Sequence, residues 1–246
     1  MQERRQYANA PIVDATIDLV CSFSSAPSLE ALRDFSKRHL LRFPNANDMR
    51  SVNIALVANS APEVKQQDPI GLRLATDKGD RVLLLRTNGF AFGHGAPYTS
   101  WEEFSAEVKV FWREYVDTFS PSEVTRYAVR YINRIVIPEP RIEVNKYFRL
   151  RPEIPEDFNS LVDQMFMQMR FALPRYGDDI TVVSNVGLAE PNAPDKVSFI
   201  LDFDVFSTKR LPVEEHEIFE HLNKLRDVKN ELFELSITDA TRDLFS

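Results

Sequence analysis

The chain has 246 residues, 43% of them hydrophobic and 11% aromatic, with 37 acidic side chains against 30 basic ones. That supplies apolar material for one large globular core or two fused halves, while no run approaches the roughly 20 apolar residues that span a bilayer, so no membrane segment is expected. A net charge of −7 argues against nonspecific nucleic-acid binding, which draws on an excess of Lys and Arg, and the lone Cys21 excludes an internal disulfide or a multi-cysteine metal site.

The N-terminus is charged and leads into Pro11 rather than an apolar leader, so the expected compartment is the cytoplasm. Residues 11–23 alternate, with Val13, Ala15, Ile17, Leu19 and Cys21 on one face, and predict a strand. Ser28 is a candidate N-cap for a helix carrying Leu29, Leu32, Phe35 and Leu40 and ending before Pro44. Strands are expected over Arg50–Val57, Ile70–Thr76 and Arg81–Phe92, the last two joined by the turn Asp77–Asp80. Gly93–Tyr98 reads as a loop. Ser100 and Glu103 then form a capping-box pattern ahead of a long helix whose buried stripe is Phe104, Val108, Phe111, Trp112 and Tyr115.

After Pro121 comes a long strand, 125–137, with arginine at every fourth position. Side chains alternate faces, so Arg126, Arg130 and Arg134 share one face while Tyr127, Val129, Tyr131, Ile135 and Ile137 share the other. An irregular stretch from Pro138 to Pro155 follows, then strands near Met165–Leu173, Ile180–Leu188 and Val197–Phe206. A second long helix starts near Val213, with Ile218, Phe219, Leu222, Leu225, Val228, Leu232 and Phe233 buried, and Thr238 or Asp239 caps a last short turn. The expected fold is α+β, mainly antiparallel sheet with two long helices. The halves 1–120 and 121–246 share a plan of strand, crossover, strands and long helix, a candidate internal duplication packed as one unit.

Several segments form a set: Tyr7–Ala15, Pro97–Phe104, Arg130–Ile135, Leu201–Phe206 and Lys229–Glu234 with Ile237–Asp239. In order and spacing the chain resembles an uncharacterised, sporadically distributed prokaryotic family of soluble proteins of about this length. Asp14 departs from that pattern, which carries glutamate there, and Arg226 stands where such proteins often carry histidine. The resemblance implies no reaction, substrate or cofactor; its patchy distribution suggests a toxin–antitoxin or defence setting.

The arginine face needs anions, and two sources are open. Asp202 and Asp204 share one face of a later strand and would pair with the arginines internally. Alternatively the guanidinium forks bind a carboxylate or phosphate of a partner. Asn133, on the apolar face, needs partners for its amide, from neighbouring backbone or a ligand. His94 lies in the predicted Gly93–Tyr98 loop, where functional residues collect. Phe90, Phe92 and Tyr98 are candidates to line a groove, and Met165, Met167 and Met169 line one strand face. His216 and His221, five apart, do not make a helical zinc pair, and no metal or cofactor is expected. No nucleophile elbow, dinucleotide loop or P-loop is present, so nothing identifies a reaction.

These features favour a non-catalytic binding protein that takes a protein or other anionic partner on a concave sheet face. Arg126, Arg130, Arg134, Asn133, His94 and Tyr98 are its candidate contacts. The rival is a hydrolase or nucleotide-processing enzyme, with Arg130 and Arg134 clamping phosphate and an acid such as Asp202 or Asp204 as base or metal ligand. A third reading is a structural subunit without a small ligand.

Overall fold

The computed structural model describes residues 5, 7–55, 63–153, 155, 164–190, 193 and 195–245, and of 51–55 and 63–68 the backbone alone. The elements in chain order are β1 (Ile12–Ser22), α1 (Leu29–Lys37), β2 (Asn45–Ala55), β3 (Glu63–Ala75), β4 (Arg81–Arg86), β5 (Gly89–Gly95) and α2 (Trp101–Phe119). They continue with β6 (Glu123–Ile137), α3 (Val144–Tyr147), β7 (Phe166–Ala172), β8 (Ile180–Ala189), β9 (Val197–Ser207), α4 (Glu215–Ser236), α5 (Asp239–Arg242) and a closing 3-10 turn, Asp243–Phe245. The class is α+β. Among the described residues the nine strands form one sheet in the order β2-β3-β4-β5-β1-β6-β9-β8-β7, and every neighbouring pair is antiparallel.

The helices lie on one face of this sheet, held by the inward half of each alternating strand. Ser28 Oγ accepts the Ala31 amide at 3.2 Å and starts α1, which buries Leu32 and Phe35. Ser100 Oγ accepts the Glu103 amide at 3.1 Å and starts α2. The α2 stripe then packs on β5: Trp112 meets Phe90, and Phe111 stacks on Phe92 with ring centres 5.2 Å apart. Helix α4 covers β6 and β9, with His221 edge-on to Tyr127 and Lys229 over Tyr131. Phe148, just after α3, stacks on Phe199 of β9 at 3.7 Å. These aromatic contacts add to burial that already favours folding by roughly 25 cal/mol per Å² of apolar surface.

Several expected boundaries move. Arg81–Phe92 is two strands, not one, because the chain reverses at Thr87–Asn88 and Arg86 pairs with Gly89. His94 is not in a loop. It lies in β5, paired with Ala15 of β1 and Arg81 of β4, so ladders on both sides hold the backbone extended through its glycines. Phe90 and Phe92 line no groove; both are fully buried beneath α2. Helix α1 stops at Lys37, the Phe43 amide bonds back to His39, and Phe43 rather than Leu40 returns to the core. Strands β2 and β3 begin earlier than expected, at Asn45 and Glu63, and Val57 lies outside the described residues.

Gly89 is required by close approach. A Cβ there would sit 2.3 Å from the Leu19 carbonyl oxygen of β1, so the two backbones could not pair at this spacing. Gly89→Ala is expected to lower stability by about 2 kcal/mol, read as a lower urea midpoint. At Gly93 the nearest atom to an added Cβ is Thr16 Oγ1 at 3.6 Å, an ordinary contact. Gly93→Ala should therefore leave the midpoint unchanged or raise it.

Candidate functional site

The sheet's other face carries polar side chains in rows across the strands. In the first row Asp18 of β1 lies between Arg86 of β4, at 2.9 Å, and Arg126 of β6, at 3.1 Å. Arg126 continues to Asp204 of β9 at 2.9 Å. In the second row Arg130 of β6 grips Asp202 of β9 through both oxygens, Nε at 2.9 Å and Nη2 at 2.7 Å. Asn185 of β8 donates to Asp202 Oδ2 at 2.8 Å, and Gln168 of β7 donates to Asn185 at 2.7 Å. Arg130 stands directly opposite Asp204 in register yet pairs with Asp202, two residues along. Such diagonal neighbours lie about 7–8 Å apart, within reach of a long arginine.

Burial is even along the first row and uneven in the second. The Arg130 side chain is 47% exposed, whereas that of Asp202 is 5% exposed. The hydrogen bonds and charge of Asp202 raise the Arg130 pKa further. Burial raises the pKa of Asp204 against the pull of Arg126. It also raises that of Asp14, whose Oδ1 accepts from Thr16 Oγ1 at 3.0 Å. Phe206 on this face is sandwiched under Arg126 at 4.5 Å and Arg170 at 5.7 Å.

The six sequence candidates fall into two groups. Arg126, Arg130 and Arg134 share the open face, and Arg134 reaches Ser198 and the Glu190 carbonyl. Asn133, His94 and Tyr98 lie on the helix side. Asn133 is buried and donates to the Leu201 carbonyl at 3.1 Å. His94 Nε2 sits 3.2 Å from the Pro97 carbonyl, and burial, with Arg81 nearby, lowers its pKa. Tyr98 shares a 3.0 Å hydrogen bond with Tyr131, and burial pushes its phenol up to about 12. Met165 and Met167 pack against the core from the edge of the sheet.

Sequence reasoning did not foresee that two cations on α4, Arg226 and Lys229, are buried. Lys229 is 6% exposed, with its ammonium 3.8 Å from the Tyr131 ring centre. Burial and the neighbouring Arg226 push its pKa down to about 7. Arg226 lies over Trp101 and bonds Asp227 at 3.0 Å. The signal was present: Leu222, Arg226, Lys229 and Phe233 recur at helical spacing on the buried stripe.

Among the described residues no group of three or more His, Cys, Asp or Glu side chains is gathered as a metal-binding set, and no helix is long and apolar enough to cross a membrane. Neither a family model nor a curated protein matches the chain. On the open face Arg86, Arg126 and Arg130 are already engaged by carboxylates of the same sheet. A lone phosphate would meet guanidiniums whose charge is already countered by an aspartate. A surface of paired, alternating charge instead suits a partner that presents donors and acceptors together.

Proposed function

We propose that this is a binding protein whose open sheet face docks a protein partner. The observation that carries the reading is the pair of charge rows running across β4, β1, β6, β9, β8 and β7 on the face opposite the helices. Fixed, mutually neutralised ion pairs present orientation-specific contacts at little further entropic loss, which favours specificity over raw affinity. A polypeptide supplies both signs and both hydrogen-bonding roles; an isolated anion supplies one. The sequence resemblance adds a toxin–antitoxin or defence setting, in the cytoplasm.

We also infer that the halves arose by duplication. The parallel in strand order supports this: β1 and β6 pair at the centre, β1 is flanked by β5 then β4, and β6 by β9 then β8.

Gly93 offers a test because it is buried on the open face between Thr16 and Val82, where an added Cβ would make ordinary contacts. A Gly93→Tyr protein that keeps the native circular dichroism spectrum should lose at least tenfold in affinity for the native partner in a titration. The unchanged affinity of a folded Gly93→Tyr protein would refute docking on this face.

A further inference from the structure

The two edges of the sheet are built differently. Strand β2 at one edge breaks register around Met49–Val52, a bulged arrangement that discourages further pairing. Strand β7 at the other edge pairs with β8 without any shift from Phe166 to Ala172. Among the described residues no strand lies beyond β7, and Phe166 there is 73% exposed. Leu188 donates to the Met165 carbonyl and Leu173 to that of Ile180. The odd-numbered residues of β7 thus turn their amide groups toward β8. Phe166, Gln168, Arg170 and Ala172 turn theirs outward, ready to pair.

We propose that β7 is the interface for a second copy of this chain, pairing antiparallel about a two-fold axis through Met169. The sequence Phe-Met-Gln-Met-Arg-Phe-Ala is self-complementary in that register. Gln168 falls opposite the partner's Arg170 and Met167 opposite the partner's Phe171, a sulfur–aromatic contact. Met169 meets the partner's Met169, and the four outward-facing residues exchange backbone bonds in pairs. Centring the axis on Arg170 would instead set two arginines face to face, which is unfavourable. The same symmetric interface repeats every contact twice and joins the two open faces into one longer surface.

The experiment is sedimentation equilibrium on the whole chain, from low to high micromolar concentration, with Gln168→Glu and Gln168→Arg. Gln168 is exposed, so both variants should keep the native circular dichroism spectrum. The wild type is expected to dimerise. Gln168→Glu should tighten the dimer, and Gln168→Arg, facing the partner's Arg170, should weaken it, each by roughly fivefold for two symmetric pairs. A wild type that stays monomeric throughout would overturn the proposal. A dimer indifferent to both substitutions would overturn it equally, because its interface would lie elsewhere.

Discussion

Lys229→Met is expected to stabilise the protein, most strongly near neutral and acid pH. The wild-type amine is buried on Tyr131, beside Arg226, and its folded pKa of about 7 lies below its ordinary value of 10.5. The unfolded chain therefore holds this proton over a pH range in which the folded chain has released it. Stability rises with pH wherever the unfolded state binds more protons. The contribution is fullest above pH 10.5 and is lost as pH falls toward 7. Near pH 7 the buried charge opposes folding by roughly 4 kcal/mol relative to the neutral amine, at 1.36 kcal/mol per unit of pKa. Between pH 7 and 8.5 the wild type should gain about 1–2 kcal/mol from this group. Above that window Cys21 opposes the trend, because burial raises its thiol to about 12 and the unfolded thiol ionises first. Methionine keeps the apolar contact with Tyr131 and removes the titration. Urea denaturation of both proteins at pH 7 and 8.5 checks this. A variant less stable than wild type at both values would mean that the amine makes a favourable contact that methionine cannot replace.

Arg130→Ala should be more damaging than Asp202→Ala, although both delete the same bidentate pair. Removing Arg130 leaves the Asp202 carboxylate, 5% exposed, with Asn185 as its remaining hydrogen-bond donor. Breaking a buried pair in that direction costs about 3 kcal/mol. Removing Asp202 frees a guanidinium that is already 47% exposed and can turn to water, a loss of about 1 kcal/mol. The double variant should recover part of the Arg130→Ala loss, because no charge is then left stranded. Equal losses from the two single variants would show that burial does not govern the row.

Much of this geometry was legible as periodicity. The alternation of 125–137 put three arginines on one face, and Asp202 with Asp204 on one face supplied an internal source of anions. Spacing does not encode register, however, so the diagonal choice of Asp202 over Asp204 by Arg130 could not be read. Cross-strand position depends on pairings between residues far apart in sequence. The β4–β5 reversal at Thr87–Asn88 reads through as one strand because its two-residue turn is short, although Arg86-Thr87-Asn88-Gly89 separates the apolar runs Val82–Leu85 and Phe90–Phe92. His94 was misplaced for the converse reason: glycines that mark a loop in isolation fit an extended strand when both neighbours hold it. The burial of Lys229 and Arg226 went unread, although both fall in segments noted in the sequence, because charged side chains on a helix normally face solvent. Their spacing placed them on the buried stripe all the same.

Photo-crosslinking in the native cell from two positions tests docking on the open face. One carries the photoreactive residue at Ile132, on the open face between Arg130 and Arg134. The other carries it at Val110, exposed on α2 on the opposite side of the sheet. One discrete protein adduct is expected from Ile132, disappearing when Gly93→Tyr is added, and no such adduct from Val110. An adduct formed from Val110 and absent from Ile132 would move the partner to the helical side and contradict docking on the open face.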